Sequence, residues 1–191
     1  MQTLTYPFAE EAIRTLKAGD AVSVNGKVWT GRDRFHKHFA DGGRLPVDFR
    51  DGALYHCGPV VIRDGDGWRV TAAGPTTSSR ENAYMPAIIR KYGIRAIIGK
   101  GGMGPETAAA CRECGCVYLQ AIGGAAQILA QAIVRVIRPS FLEEFGSPEA
   151  IWQLEVRDFP AIVTMDAQGA SLHETIARQS RERLERLTSG L

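Results

Sequence analysis

The chain has 191 residues, of which 45% are hydrophobic and 23% are charged, and its formal net charge at pH 7 is +2. This length and composition suit one globular domain with a sizeable core, and we predict a single domain over residues 1–191. The small net charge argues against nucleic acid or an anionic membrane as a partner. No apolar stretch approaches the ~20 residues that a membrane-spanning helix needs, and the start does not look like a signal peptide, so we expect a cytoplasmic location.

The first third of the chain has the pattern of an antiparallel sheet with two short helices. Asn25-Gly26 stands between two alternating stretches, which is the strongest short-range signal for a β-hairpin. Gly19 ends the first helical pattern, and Gly42-Gly43 marks a loop after the second. The predicted helices cover residues 10–17 and 32–39, and the predicted strands cover 21–24, 27–30, 54–61 and 68–72.

After residue 74 short apolar strands alternate with helices. Pro105-Glu106 is a good helix start, because proline fits the first turn and an acid there favours the helix dipole. The predicted helices cover 79–92, 104–114, 125–136, 140–145 and 172–187, and the predicted strands cover 96–98, 116–120, 150–159 and 161–165. An antiparallel start followed by strand–helix alternation indicates an α/β fold with mixed sheets.

Two segments carry hydroxyl groups and cations at the ends of successive predicted strands. GPTTSSR contains Thr76, Thr77 and Arg80, and GKGG contains Lys100. A guanidinium binds a carboxylate bidentately, an ammonium adds a point charge, and a hydroxyl can take part in proton transfer, so the set suits a small dianionic acid. The simpler alternative is that Thr77 or Ser78 caps the next helix. A nucleotide-binding loop at Lys100 is disfavoured, because the required glycine spacing is missing.

The spacing Cys-x2-Cys-x-Cys at Cys111, Cys114 and Cys116 invites a metal-site interpretation. We favour a structural role instead, because a helix is predicted to end and a strand to begin between them, which turns the side chains in different directions. Cys57 is expected to be a small buried hydrophobic residue. We therefore predict reduced thiols and no metal bound by this chain.

Four segments, taken in order, resemble one known family. They are TGRDRFHK at 30–37, GPTTSSR at 74–80, GKGG at 99–102 and VYLQAIGGAA at 117–126. Together they resemble the β (C-terminal) part of class I fumarases and L-tartrate dehydratases, which are iron–sulfur hydro-lyases. The resemblance extends from about residue 4 to about residue 166. It implies the swivelling β/β/α fold, and a [4Fe-4S] cluster carried by a separate α subunit rather than by this chain.

The resemblance also implies roles for individual residues. Thr76 would take part in proton abstraction and Thr77 would contact the substrate, while Lys100 would stabilise charge. Arg32 and Arg80 would each bind one substrate carboxylate.

The segment that begins with Arg32 holds two further candidates. Asp33 would orient Arg32 or act as an ordinary helix-start acid. His36 follows one turn later and could support the site, although a satisfied structural histidine is the better interpretation. The other histidines, His38, His56 and His173, carry no functional signal.

The function implied is that of the β subunit of a two-subunit class I fumarate hydratase, which adds water to fumarate to give malate and needs its α subunit for activity. The alternatives are an L-tartrate or mesaconate-type dehydratase subunit, or a non-catalytic module that binds small acids. A hetero-oligomer is expected, and a homodimer is one form that the isolated chain could take. All of these require Arg32, Arg80 and Lys100 to face a common region.

Overall fold

The computed structural model describes residues 1–189, so the last two positions of the predicted domain lie outside the described residues. The strands are β1 (Gln2–Thr5), β2 (Ala21–Thr30), β3 (Ala53–Tyr55), β4 (Val60–Asp64), β5 (Gly67–Ala72), β6 (Ala96–Gly99), β7 (Val117–Gln120), β8 (Ile133–Ser140) and β9 (Ile151–Met165). The helices are α1 (Glu10–Thr15), α2 (Asp33–Ala40), α3 (Met85–Tyr92), α4 (Pro105–Cys114), α5 (Ala126–Gln131), α6 (Leu142–Phe145) and α7 (Leu172–Thr188), and a 3₁₀ turn, Ser78–Glu81, precedes α3.

Seven strands form a mixed sheet in the order β1-β2-β3-β6-β7-β9-β8, and β4 pairs with β5 in a separate two-stranded ribbon. The strands β1, β2, β3, β6 and β7 run parallel to one another. The long strand β9 runs antiparallel to β7, β8 and β2. Because β9 pairs with β2 as well as with β7, the strands β2, β3, β6, β7 and β9 form a closed ring. The predicted α/β class with mixed sheets is confirmed.

The core lies on both faces of the central strands. Successive strand residues point to opposite faces, so neighbouring residues enter different apolar clusters. In β6, Ile97 packs with the helical residues Phe35 and Ile88, whereas Ile98 packs with the side chains enclosed by the strands, including Trp152. Burial of each such aliphatic side chain contributes about 1.5–3 kcal/mol. These central strands carry the site on the loops that follow them.

The predicted hairpin at Asn25-Gly26 is wrong. These residues lie inside the continuous strand β2, where the register against β9 shifts between Val24 and Gly26. Gly26 has φ +91°, a conformation that forms a bulge as readily as a turn. The carbonyl of Asn25 accepts a hydrogen bond from the Tyr6 amide at 2.9 Å, so contacts distant in sequence keep the strand straight where a local signal indicated reversal.

Two further predictions fail at β8 and β9. The predicted helix 125–136 ends at Gln131, and Ile133 begins β8, because a segment rich in β-branched residues can pair with β9. The predicted break at Pro160 does not occur either, since β9 continues through it. Pro160 lies between the part of β9 that pairs with β8 and the part that pairs with β7. Because neither β7 nor β8 pairs with β9 at this position, the missing amide proton of proline removes no hydrogen bond to those two strands.

Smaller differences concern the ends of elements. The predicted strand 54–61 is divided between β3 and β4, and the predicted helix 79–92 is divided into the 3₁₀ turn and α3. The sequence interpretation missed β1, which is paired with β2. The predicted helices at 104–114 and 172–187 and the strands at 96–98 and 116–120 are confirmed within a residue or two. No helix in residues 1–189 has the length and apolar character needed to cross a membrane.

We expect Gly26→Ala to lower the free energy of unfolding by about 2–3 kcal/mol, through the cost of positive φ and a steric contact. A Cβ there would lie 2.9 Å from Cβ of Tyr6. Gly42→Ala is the matched control, because Gly42 has φ +82° and open space around it. Urea denaturation should show the control losing only about 1 kcal/mol. Equal losses in both variants would contradict a contribution from the Tyr6 contact.

Candidate active site

The carboxyl ends of four parallel strands meet at one edge of the sheet. The last paired residues are Thr30 of β2, Tyr55 of β3, Ile98 and Gly99 of β6, and Gln120 of β7. In sheets of this kind, ligands bind at the carboxyl ends of the strands, because the loops that follow converge there. The loops at this edge are 31–32, 56–59, 100–104 and 121–125.

The threonine segment is joined to Lys100 by backbone hydrogen bonds. The amide of Ser78 donates to the Lys100 carbonyl at 3.0 Å, and the Lys100 amide donates to the Thr76 carbonyl at 3.3 Å. The Thr76 hydroxyl donates to the carbonyl of His56 at 3.2 Å. Thr77 and Lys100 form an isolated parallel bridge. The structure therefore brings Thr76, Thr77 and Lys100 together as the sequence analysis requires.

Arg80 meets the beginning of α2. Its Nη2 lies 3.3 Å from Oδ1 of Asp33, and both side chains are about half exposed. An ion pair this exposed contributes no more than about 1 kcal/mol, so it leaves the guanidinium free to exchange Asp33 for an anionic ligand. Asp33 thus contacts Arg80, whereas the sequence analysis expected it to orient its neighbour Arg32.

Arg32 lies on the same edge but is more enclosed. Its Nε is buried without a hydrogen bond among the described residues, and it lies 3.4 Å from Oε1 of Glu149. A Cβ added to Gly58 would come within 2.5 Å of Nη1 of Arg32, so the absence of a side chain at Gly58 admits the guanidinium. No direct side-chain contact joins Arg32, Arg80 and Lys100 in residues 1–189, but the connections above place all three at one edge.

Thr77 and Ser78 do not cap a helix through their side chains. Thr77 precedes the 3₁₀ turn but makes no side-chain cap bond, and Ser78 turns into the core. There, Oγ of Ser78 accepts a hydrogen bond from the Tyr118 hydroxyl at 2.9 Å and lies 2.8 Å from Nδ1 of His56. A Cβ at Gly99 would stand 1.9 Å from this oxygen, so only glycine leaves space for Ser78.

His36 is a buried structural histidine rather than an exposed catalytic group. A carbonyl can only accept, so Nδ1 of His36 carries the proton that it donates to the Arg32 carbonyl at 2.7 Å. Nε2 lies 3.4 Å from Sδ of Met85. Burial lowers the pKa of His36 to about 4, and burial also lowers the pKa of His56 well below its usual value. Both imidazoles are therefore neutral near pH 7.

Glu81 is a buried acid that the sequence interpretation missed. Its Oε2 lies 3.2 Å from Nδ1 of His36, and its Oε1 accepts no hydrogen bond from a donor in residues 1–189. Burial, followed by the hydrogen bond and charge of Asp33, raises the pKa of Glu81 to about 8. Glu81 and His36 are therefore a neutral pair at pH 7. Ser78, His56 and Tyr118 were missed in the same way, because only burial distinguishes them.

The cysteines do not fit the role of cluster ligands. Cys111 and Cys116 are fully buried in the apolar core, and burial raises the pKa of the thiols of Cys114 and Cys116. Burial also raises the pKa of Cys57 to about 12. Metal ligation requires the thiolate, which these environments disfavour. Within the described part of the chain, no group of three His, Cys, Asp or Glu residues is arranged to hold a metal ion.

The fold and the site define a class of protein: a mixed α/β domain with three cations and two threonines at one edge of its sheet. Residues 2–176 match the family described as "Fumarase C-terminus", and the chain belongs to that family. The suspected relationship to the β part of class I fumarases and L-tartrate dehydratases is thereby confirmed.

Three similar proteins show how the domain is used elsewhere. A protein named putative fumarate hydratase class I from Geobacillus stearothermophilus is 54% identical over 95% of this chain, but the match covers only 35% of that protein. A putative L(+)-tartrate dehydratase subunit beta from Methanocaldococcus jannaschii is 41% identical over 92% of both chains. The L(+)-tartrate dehydratase subunit beta of Escherichia coli K12 is 34% identical over 88% of this chain and 85% of its own length. The chain thus spans about a third of the first relative and most of the other two.

We expect Glu81→Gln to change how stability depends on pH. The pKa of Glu81 is raised from 4.5 to about 8 on folding. The stabilisation of the folded chain that comes from the protonated carboxyl is therefore fully present below pH 4.5 and is lost as the pH rises through 8. Between these values the free energy of unfolding of the unsubstituted chain should fall, relative to Glu81→Gln, by up to about 1.4 kcal/mol per pH unit. Urea denaturation across this range measures the difference, and parallel curves would contradict the raised pKa.

Proposed function

We propose that this chain is the β subunit of a two-subunit hydro-lyase that reversibly hydrates fumarate to malate in the cytoplasm and is active only with its α subunit. The observation that carries the proposal is the placement of Arg32, Arg80 and Lys100 at one strand-end edge beside Thr76. Family membership and the fumarate hydratase name of the most identical of the three relatives described above support it. A partner is supported by the "subunit beta" names of the other two relatives.

In this proposal each cation has its own task. Arg80 and Arg32 bind the two carboxylates of the acid, and the guanidinium geometry orients it. Lys100 stabilises the negative charge that develops as a proton leaves the substrate carbon. Asp33, which pairs with Arg80 at 3.3 Å in this structure, holds that guanidinium in place until the substrate carboxylate takes over.

Thr76 would move the proton. A threonine hydroxyl is a weak base, and cations nearby are needed to favour the alkoxide. Lys100 is bonded to the Thr76 carbonyl through its own amide, so its side chain leaves the backbone beside this residue. Thr77, which is exposed and bridged to Lys100, would contact the substrate.

A [4Fe-4S] cluster is proposed for the α subunit. The buried thiols of this chain do not suit cluster binding, and we assign no step on this chain to the cluster. The residues described here bind the acid, orient it and move a proton, but none of them is placed to activate water. This is why the proposal makes activity depend on the partner.

L-Tartrate dehydration is the second candidate, and it is supported by the names of the two relatives of similar length. The cations named above bind carboxylates, which fumarate and tartrate share, so they do not discriminate between the two acids. The decisive experiment is anaerobic co-expression with the candidate α subunit, followed by assays on fumarate, L-tartrate and mesaconate. Activity on none of these acids would overturn the proposal, and a preference for tartrate would favour the second candidate.

We expect Thr76→Ala to lower kcat of the reconstituted complex by at least about 100-fold, because the proton-transfer group is lost. Folding should be unaffected, since the hydroxyl makes one part-buried bond to a carbonyl. Thr71→Ala, in the β4–β5 ribbon, removes a comparable hydroxyl-to-carbonyl bond and should leave kcat unchanged. A near-normal rate for Thr76→Ala would remove this residue from the mechanism.

Arg80→Met should mainly raise KM, by about tenfold or more, because a charged hydrogen bond to a carboxylate is lost. Steady-state kinetics on the acid that the complex turns over provide the measurement. Arg69→Met is a suitable control, because Arg69 makes a similarly exposed ion pair with Asp64 in the ribbon. An unchanged KM in Arg80→Met would contradict the carboxylate role.

A further inference from the structure

The proposed reaction assigns no task to Glu81, although its sequence neighbour is Arg80. The residue is only 1% exposed, and its Oε1 accepts no hydrogen bond from a donor among residues 1–189. A buried carboxyl that is only partly paired costs free energy, so its position requires an explanation in terms of what it contacts.

Glu81 lies between the two arginines proposed to bind carboxylates. On one side, its Oε2 is 3.2 Å from Nδ1 of His36, which donates to the carbonyl of Arg32 at 2.7 Å. On the other side, Asp33 raises the pKa of Glu81 through its charge and through the hydrogen bond that a protonated Glu81 can donate to it, and Oδ1 of Asp33 is 3.3 Å from Nη2 of Arg80. A continuous chain of polar contacts therefore joins the backbone of Arg32 to the guanidinium of Arg80.

We propose that Glu81 is a positioning residue that sets the separation of Arg32 and Arg80 by acting through His36 and Asp33. The inference rests on the proposed function, since it concerns the two guanidinium groups assigned to the substrate carboxylates. Glu81 itself touches neither substrate nor reacting atoms.

The protonation state of Glu81 decides whether this connection exists. Neutral Glu81 can donate its proton to the Asp33 carboxylate, whereas two ionised carboxylates repel each other. The groups that face Glu81 are Asp33 and His36 on α2, Arg80 on its own turn, and Glu149 before β9. Together with burial, the acids among them outweigh Arg80 and raise the pKa of Glu81 to about 8.

The first experiment compares Glu81→Gln with Glu81→Leu in the reconstituted complex at pH 7. The amide of Gln can still donate to Asp33, so KM should stay within about twofold of the unsubstituted value. Leu cannot donate, so KM should rise about tenfold with kcat changed less than about threefold, after circular dichroism confirms folding. Glu113→Gln is the control, because Glu113 pairs with Arg90 at the far end of α4. An unchanged KM in Glu81→Leu would overturn the inference.

The second experiment measures KM against pH. In the unsubstituted complex KM should rise above pH 8 as Glu81 ionises, and in Glu81→Gln this rise should disappear. A merely structural role would not predict the loss of this alkaline rise. If the same rise persists in Glu81→Gln, the inference is wrong.

A third measurement needs no partner and separates this inference from the proposed function. In the isolated chain labelled with ¹⁵N-arginine, the Nε–Hε cross-peak of Arg80 should have the same chemical shift in the unsubstituted chain and in Glu81→Gln, and should move towards the position of a free arginine in Glu81→Leu. An inactive complex with this NMR pattern would overturn the proposed function alone. An Arg80 cross-peak at the same position in all three chains would overturn the positioning role of Glu81, whatever the complex catalyses.

Discussion

Two backbone hydrogen bonds between the 76–78 segment and Lys100 hold the candidate site together. They extend the edge of β6 beyond its last strand residue, so a loop acquires the order of a sheet. This contact depends on Ser78 turning inward, which is possible only because Gly99 has no side chain. This arrangement gives Thr76, Thr77 and Lys100 their common location. It also places Arg80 nearby, because Arg80 is only two residues beyond Ser78 in the chain.

Charge and burial are divided between two layers at this edge. The outer layer holds Arg80 and Asp33, which are about half exposed and can stay ionised at modest cost. The inner layer holds His36, His56 and Glu81, which burial keeps neutral near pH 7. Neutral groups can be buried with hydrogen bonds alone, whereas unpaired buried charges would be far more costly. The inner layer can therefore connect the cations without adding charge that would compete with an acidic substrate.

The same geometry explains why this chain would need a partner. Arg80 and its partner Asp33 remain about half exposed at this edge, whereas Arg32 is more enclosed. Electrostatic stabilisation is strongest where water is excluded, so the proposed function calls for a second surface that covers the edge. The fumarate hydratase relative is about three times longer than the matched region, and it therefore has chain outside this domain that could do so.

The motif residues could be located from the sequence, because strand–loop–helix boundaries, glycines and cations are local patterns. Lys100 directly follows β6 and Pro105–Cys114 is a helix, as predicted, whereas Thr76 and Arg80 lie four and eight residues beyond the end of β5 and not at its end. The tertiary structure alone decided the pairing of β9, which turned the Asn25-Gly26 hairpin signal into a bulge and a predicted helix into β8. It also decided the environment of Glu81, since burial and the neighbouring Asp33 of α2 raise the pKa of this acid to about 8. Local propensity is set by neighbouring residues in the chain, whereas strand pairing and desolvation depend on contacts between residues that are far apart in sequence.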